Sequence, residues 1–380
     1  MPVESALLTK KLYLIAGEAS GDLHGANLIR HLKARSKTPL DIYGVGGDKI
    51  RETGAKNFYD LAHFHVTGIS AAIKKLPEYQ KASKKIFSDI EKTRPDLVVL
   101  IDNPGFNLHL AKKIHELGIP IVYFIAPQVW AWAPKRVLKI KKYIKKVLVV
   151  FQFEKKFFQD HGVPVTWVGH PLKDLVEAGS VANGGPKRIG RLVTLLPGSR
   201  KGEINTLFSI FLKAASLIRS ALPGTAFAVI KAPTLPRQVY EERLKRFDMP
   251  VQIVDKHSYD VIHDSELVIA CSGTATLECA LLGTPMIVAN KGSLLTYLVA
   301  KSVVRVDYLG LPNLILGERK FPELLQYEAT PEKIAQEAVR ILTDKKVLEE
   351  MKRDCAEVSR RIGEKGASAR AADEILVLLS

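Results

Sequence analysis

Apolar residues in this chain gather into short runs, four to six long, separated by longer stretches in which they recur at helical spacing. Short β-branched runs alternating with helical patterns are the signature of a parallel sheet with crossover helices. In the first half, strands are predicted at 12–16 (LYLIA), 41–45 (DIYGV), 97–101 (LVVLI), 120–125 (PIVYFI), 146–151 (KVLVVF) and 165–168 (VTWV). Between 173 and 190 the text KDLVEAGSVANGGPKRIG turns Gly-rich and loses periodicity, which reads as a linker. A second series follows at 191–195, 226–230, 251–254, 267–270 and 285–288, and from 331 onward the pattern is helical to the end. Two doubly wound α/β domains are therefore expected, 1–172 and 191–365, joined by 173–190 and followed by a last helix in 366–380. Such sheets bind ligands beyond the carboxyl ends of their strands, so the strand-end loops and a cleft between two facing domains are where chemistry belongs.

The first of these loops is GEASGDLHG, with glycines at 17, 21 and 25. That spacing is not G-x-G-x-x-G, and no Gly-Lys-Ser/Thr follows, so neither a dinucleotide loop nor a P-loop is present. What remains is a glycine turn presenting Glu18, Ser20 and Asp22, whose amides could meet an anion. Asp22 equally suits a cap on its own helix. Asp102 ends the LVVLI run, where a carboxylate near low-dielectric walls is placed for general-base work, or for closing a turn. Pro127, Trp130 and Trp132 follow the next run and suit packing or the stacking of a sugar or acyl group. His170, at the end of the first domain, is a candidate for titration near neutral pH or for fixing a hinge.

The second domain opens with LLPGSR. A strand, then Gly198-Ser199-Arg200, then a helix makes an anion site from helical amides and a guanidinium, for which a diphosphate is a natural guest. CSGTATLE repeats the device with Ser272, Gly273 and Thr274. Glu278 lies one helical turn past Thr274 and suits ribose hydroxyls, although a capping-box helix start reads the same way. Two anion loops and a ribose acid in one domain point to a nucleotide-sugar site.

Composition changes the picture in three places. Three cysteines show neither metal-ligand spacing nor a disulfide framework, the first ten residues lack a signal-peptide core, and no apolar run nears the roughly 20 residues of a membrane span; a cytoplasmic protein is expected. The net charge of +16 calls for an anionic partner: nucleic acid, a membrane surface or phosphorylated substrates. Its excess is concentrated at 74–85 (KKLPEYQKASKK) and 135–146 (KRVLKIKKYIKK), unaccompanied by an RNA motif, zinc finger or basic tail, so no nucleic-acid partner is expected. Lysines flanking short apolar stretches read as a membrane-surface segment, and equally as a solvated helix face.

Taken in order, GEASGD, Asp102-x-Pro104-x-Phe106-Asn107, Pro127 with Val129 to Trp132, LLPGSR, SGTATLE and Leu311 to Asn313 run along nearly the whole chain. The set resembles the lipid-A-disaccharide synthases. Thr67, where methionine is expected, and Gly105, where an acid is expected, depart from the family pattern on its acceptor side. The resemblance implies a GT-B fold, with two Rossmann-like domains facing across a cleft. It also implies inverting transfer of 2,3-diacylglucosamine from its UDP carrier to 2,3-diacylglucosamine 1-phosphate, giving a β-1,6 disaccharide without metal or cofactor. In that reading Asp102 accepts the proton of the acceptor 6-hydroxyl, with Glu18 and Ser20 on the same catalytic face. Arg200, Ser199 and the amides after Gly198 neutralise the departing UDP, while Ser272, Gly273, Thr274 and Glu278 hold phosphate and ribose, with Asn313 nearby. The expected partners are the two glycolipid substrates, an anionic inner-membrane surface holding a peripheral enzyme, and a second copy in a homodimer. The C-terminal helix would pack on its own first domain or exchange between chains. The rivals are a UDP-sugar 2-epimerase, another lipid-linked UDP-sugar glycosyltransferase, and a basic nucleic-acid module that leaves the strand-end loops idle. A nicotinamide dehydrogenase fails for want of its fingerprint.

Overall fold

A computed structural model describes residues 9–60, 69–180, 190–247, 249–256, 258–292 and 307–380, and in it the chain divides into two units. Unit 1 takes the chain up to Pro171 and then Glu364–Ser380; unit 2 is Leu172–Gly363. Unit 1 runs β1 (Lys10–Ala16), α1 (Glu18–Arg35), β2 (Leu40–Val45), α2 (Asp48–Glu52), β3 (Lys56–Tyr59), α3 (Ile69–Thr93), β4 (Leu97–Ile101) and α4 (Pro104–Glu116). It continues through β5 (Ile121–Phe124), α5 (Val129–Trp132), α6 (Val137–Tyr143), β6 (Lys146–Val149), α7 (Gln152–Asp160) and β7 (Val165–Trp167). Its seven strands, all parallel, lie in the order β3-β2-β1-β4-β5-β6-β7.

Unit 2 begins with α8 (Leu172–Ser180), β8 (Leu192–Leu196), α9 (Lys201–Glu203), a π-wound turn (Ile204–Phe208) and α10 (Ser209–Ala221). There follow β9 (Ala226–Ile230), α11 (Gln238–Leu244), β10 (Val251–Val254), α12 (Ser258–His263), β11 (Leu267–Cys271), α13 (Thr274–Leu281) and β12 (Met286–Asn290). The unit closes with α14 (Leu311–Leu316), β13 (Glu323–Leu325), α15 (Pro331–Thr343) and α16 (Lys345–Arg361). Its six parallel strands are ordered β10-β9-β8-β11-β12-β13. The final helix, α17 (Ala367–Leu379), belongs to unit 1.

Strands buried on both faces explain the near-continuous apolar runs. In β1 alternate residues serve opposite layers. Tyr13 and Ile15 join Ile86, Ile90, Leu110 and Ile114 of α3 and α4, while Leu12, Leu14 and Ala16 join Leu28 and Ile29 of α1 and Ile375 and Leu379 of α17. β4 divides the same way, Val98 and Leu100 against Leu97, Val99 and Ile101. At about 1.5–3 kcal/mol for each fully buried aliphatic side chain, these layers hold the sheet. Arg35–Asp373 and Lys146–Glu374 ion pairs, and Arg370 Nε donating to the Val168 carbonyl at 2.8 Å, fix α17 within its unit.

The structure adds two edge strands the pattern does not show, β3 (KNFY) and β13 (ELL), each too short and too polar to stand out. It also corrects the linker: Leu172–Ser180 is helical, with Val176 and Leu172 buried, so only the Gly-rich remainder is candidate linker. The run predicted at 146–151 stops as a strand at Val149, because the Val150 and Phe151 amides turn to the Glu154 carboxylate. Thr67, residues 181–189 and the side chains of Lys74, Lys75 and Trp132 lie outside the described residues. Among the described residues no helix is long and apolar enough to cross a membrane.

Candidate functional site

In a doubly wound sheet the ligand crevice opens where the strand order reverses. In unit 1 that point lies between β1 and β4, and in unit 2 between β8 and β11. Glu18 and Ser20 follow β1, and Asp102 follows β4. Gly198 to Arg200 follow β8, and Ser272 to Thr274 follow β11. Topology thus brings the predicted residues of each unit to its own switch point.

The unit 1 switch point is strained. Glu18 (φ 63°), Asp102 (φ 48°), Asn103 (φ 44°) and, at the end of β5, Ile125 (φ 55°) all adopt left-handed backbone without being glycine. Such conformations cost about 1–3 kcal/mol each and persist only where the surroundings impose them. Here the impositions are visible. The Asp102 carbonyl accepts from Tyr123 Oη and Asn107 Nδ2, both at 2.7 Å, and its amide donates to the Phe124 carbonyl. Pro104 opens α4, and Phe106, 4% exposed, packs its ring 5.7 Å from Tyr79. Gly17 leaves room for Asn103, whose Nδ2 a Cβ there would displace. The D-x-P-x-F-N motif is therefore mostly apparatus for presenting one carboxylate. Desolvation pushes that carboxyl up to about 6, the negative charge of Glu18 adds to the rise, and a backbone N–H from Asn103 opposes it. Glu18 is half-buried beside it and Ser20 is exposed on α1. A carboxylate in this state is a proton acceptor near neutral pH.

Three unit 1 candidates have other tasks. Asp22 caps α2 and not its own helix: its buried carboxylate accepts from the amides of Gly47 (2.7 Å), Lys49 (3.0 Å) and Ile50 (3.1 Å). His170 does not titrate near neutrality, because burial, and then the neighbouring His24, push it down to about 3. Trp130 is half-buried, donates through Nε1 to Glu154 at 3.1 Å and meets Phe153 edge-on. Burial pushes Glu154 up to about 7 against that bond and two backbone donors.

In unit 2, glycine carries the unusual backbone. Gly198 has φ 115° and sits where a Cβ would overlap the Glu203 carboxylate. Glu203 Oε2 accepts from the Ser199 amide (2.9 Å) and the Arg200 amide (3.2 Å), and Oε1 accepts from Arg200 Nη1 (2.8 Å). Every one of those donors belongs to the predicted anion loop. Beyond β11, the Ser272 amide donates to the Ala289 carbonyl and its hydroxyl to the Leu309 carbonyl at 3.0 Å, while Gly273 and Thr274 are exposed at the head of α13. Glu278 follows on α13, and its Oε1 accepts from Tyr259 Oη at 3.1 Å. Burial raises the Glu278 carboxyl and the Tyr259 bond opposes that rise.

Asn313, expected near the nucleotide, has a structural task in its own loop. It is fully buried, and its amide is spent: Nδ2 donates to the Phe321 carbonyl and Glu323 Oε1, and Oδ1 accepts from the Lys320 and Phe321 amides, all at 2.8–2.9 Å. Glu323 in turn accepts from the Leu309 and Gly310 amides. Since Ser272 rests on Leu309, Asn313 holds the loop that holds Ser272. Sequence reasoning missed Glu203, Tyr259 and Glu323. Glu203 carried a signal, an acid three residues past the start of a helical turn, as in a capping box. Tyr259 and Glu323 carried none, being brought in by folding from 19 and 10 residues away. Among the described residues no three His, Cys, Asp or Glu side chains come together as a metal cluster.

A family model described as lipid-A-disaccharide synthetase matches residues 12–376. The lipid-A-disaccharide synthase of Geobacter metallireducens is 39% identical over 377 residues, covering 97% of each chain. That of Trichlorobacter lovleyi is 37% identical over 375 residues, covering 97% of this chain and 98% of its own. Among solved structures, a UDP-GlcNAc 2-epimerase from Neisseria meningitidis bound to UDP-GlcNAc superposes with a TM-score of 0.65 at 12% identity, covering 97% of this chain and 100% of that one. A glycotransferase of kitacinnamycin reaches 0.66 at 17% identity over 97% and 99%. At such identities these structures speak for the fold, which is of the GT-B type, with two Rossmann-like units.

Proposed function

The chain belongs to the lipid-A-disaccharide synthase family, and from that premise we propose how its residues divide the work. It is a UDP-sugar-dependent glycosyltransferase of lipid A biosynthesis, joining 2,3-diacylglucosamine from its UDP carrier to 2,3-diacylglucosamine 1-phosphate. The observation that carries the division is the desolvated, strained carboxylate of Asp102 at the unit 1 switch point.

Asp102 is the general base. As the acceptor 6-hydroxyl oxygen attacks C1 of the donor, its proton passes to the Asp102 carboxylate and the bond from C1 to the diphosphate oxygen breaks. The α-linked donor gives a β-1,6 bond by inversion, and UDP leaves with the electron pair. Glu18 keeps the basicity of Asp102 high, and Ser20 is a contact for the acceptor. Arg200, with the loop amides after Gly198, meets the charge growing on the diphosphate; a donor already in place for developing charge is worth about 10²–10³ in rate. Gly273 and Thr274 with Ser272 line the phosphate end, Glu278 takes the ribose hydroxyls, and Asn313 supports that loop from behind. A UDP-sugar 2-epimerase shares the fold, but at 12–14% identity against the 37–39% of the synthases above. The deciding assay supplies UDP-2,3-diacylglucosamine and labelled 2,3-diacylglucosamine 1-phosphate to purified protein. Labelled disaccharide 1-phosphate with stoichiometric UDP is the expected result, and folded protein yielding neither would overturn the reading.

We propose further that the protein is peripheral on an anionic membrane and a homodimer. On and around α6, Lys135, Arg136, Lys139, Lys141, Lys142 and Lys145 are exposed, and Leu138 stands out among them at 64% exposure. An apolar side chain ringed by cations suits a lipid headgroup layer. Raising salt from about 0.05 to about 0.5 M, over which the screening length shortens from above ~10 Å to a few ångström, should release the protein from phosphatidylglycerol vesicles. Binding insensitive to salt would count against the surface. Light scattering of the full chain reports the dimer.

A further inference from the structure

The loop read above as the diphosphate site is filled, and it is filled by a carboxylate of the same chain. Glu203 takes the Ser199 amide at 2.9 Å, the Arg200 amide at 3.2 Å and the Arg200 guanidinium at 2.8 Å. Gly198 leaves the space into which this side chain packs. The arrangement is not sealed: the Arg200 side chain is 48% exposed and that of Glu203 22%, so an incoming anion reaches both without unfolding. Burial pushes up the thiol of Cys271, the last residue of β11, the Glu203 charge adds to that rise and the Arg200 charge opposes it, so both charges are within electrostatic reach of the end of β11. The backbone directly after Glu203, Ile204–Phe208, is π-wound, an irregularity that collects at functional sites.

We propose that Glu203 is an exchangeable internal anion: it occupies the loop donors when the site is empty, yields them to the diphosphate of the donor, and takes them back as UDP departs. The inference rests on the reading of Arg200 and its loop as the diphosphate site. Exchange has two consequences. A loop already gathered round a carboxylate is organised for an anion before the nucleotide arrives. The same carboxylate lowers the apparent affinity by the fraction of molecules in which the loop is uncapped, so a site capped nine-tenths of the time binds UDP about tenfold more weakly than an uncapped one. In a transferase that must shed UDP each turnover, this weakening favours release.

The test measures UDP and inorganic pyrophosphate binding by calorimetry on the full chain and on Glu203→Gln, Glu203→Asp and Arg200→Ala. Exchange predicts that both Glu203 variants bind each ligand more tightly, by roughly 3–10-fold, because Asp is charged but too short to reach the loop amides. Steady-state UDP inhibition should strengthen by the same factor. Tightening in the Gln variant alone would mean plain charge repulsion and would overturn exchange. Weaker or unchanged binding in both would make Glu203 a fixed cap and overturn it equally. Arg200→Ala separates the two failures: if it leaves UDP affinity intact, the diphosphate reading itself falls, whereas if it weakens UDP while the Glu203 variants do not tighten, only the exchange is lost.

Discussion

The two units share a doubly wound plan and open their loops at equivalent switch points, yet the chemistry at those points is opposite. In unit 1 the left-handed backbone is carried by residues with side chains, Glu18, Asp102, Asn103 and Ile125, and the point is occupied by carboxylates. In unit 2 it is carried by Gly198 and Gly273, and the point presents amides, hydroxyls and a guanidinium, with the Glu203 carboxylate seated against those donors as an anion would be. On the proposed division of work, the difference is one of function under a shared topology. A group that must move a proton has to be held in one place and kept partly dehydrated, which strain and burial do. A loop that must wrap a diphosphate needs backbone approach, which glycine gives. One unit sets a pKa and the other sets a potential.

The sharpest way to break this contrast is Asp102→Asn. If unit 1 exists to move a proton, kcat should fall about 10²–10⁴-fold, with donor KM little changed. Wild-type activity should fall below pH ~6, where the carboxylate that must accept a proton is already protonated. The same substitution has a second signature. The Asp102 carboxyl is raised above its unfolded value of 3.8, so its contribution to stability is full below that value and lost as pH rises through about 6. Asn imitates the protonated form, so the inactive variant should be more heat-stable than wild type at pH 8, by up to ~2–3 kcal/mol, and equal to it near pH 3.5. Loss of activity with no gain in melting temperature would mean that the carboxylate is not desolvated.

Next in size is Asn313→Ala, which asks whether unit 2 also depends on buried polar groups held in place. Removing this amide strands the Phe321 amide and carbonyl and takes one donor from Glu323 Oε1, which keeps the Gly310 amide, and one acceptor from the Lys320 amide, which keeps the Glu318 carbonyl. At about 1–3 kcal/mol for each buried polar group left alone, unit 2 should lose on the order of 3 kcal/mol or more. Chemical denaturation reads this directly. A residue that only touched nucleotide would instead cost affinity and leave stability alone, so an unchanged denaturation midpoint would return Asn313 to the ligand.

What the sequence made legible follows from the same contrast. The central strands could be read because burial on both faces writes uninterrupted apolar runs, as in Leu97–Ile101 and Leu267–Cys271. Edge strands such as KNFY, with one ladder neighbour, write no such run. The strand-end placement of Asp102 and Arg200 was legible because each follows the apolar run that positions its loop. The partners that tune them were not. Tyr259 reaches Glu278 from another helix, Asp22 caps a helix that begins 26 residues later, and Asn313 looks like any polar residue after a proline until its buried neighbours are known. Pattern reports local order, whereas satisfaction of a buried polar atom is settled only by the fold.

The smallest expected effect tests the finest part of the contrast, the one carboxylate in unit 2 that resembles those of unit 1. Burial raises Glu278 as it raises Asp102, and Tyr259 Oη opposes part of that rise. If unit 2 binds and does not move protons, Glu278 must stay ionised to accept two ribose hydroxyls, and the phenol is there to keep it so. Tyr259→Phe removes one hydrogen bond to a carboxylate, worth about 1.5 kcal/mol, so donor KM should rise roughly tenfold with kcat unchanged. The rise should grow as pH falls from 8 to 6, because a carboxylate deprived of its donor takes a proton more readily. A Tyr259→Phe enzyme whose KM is raised equally at every pH would show that the phenol only packs. One whose kcat falls while KM holds would place Glu278 among the proton-moving groups, and the contrast between the two units would dissolve.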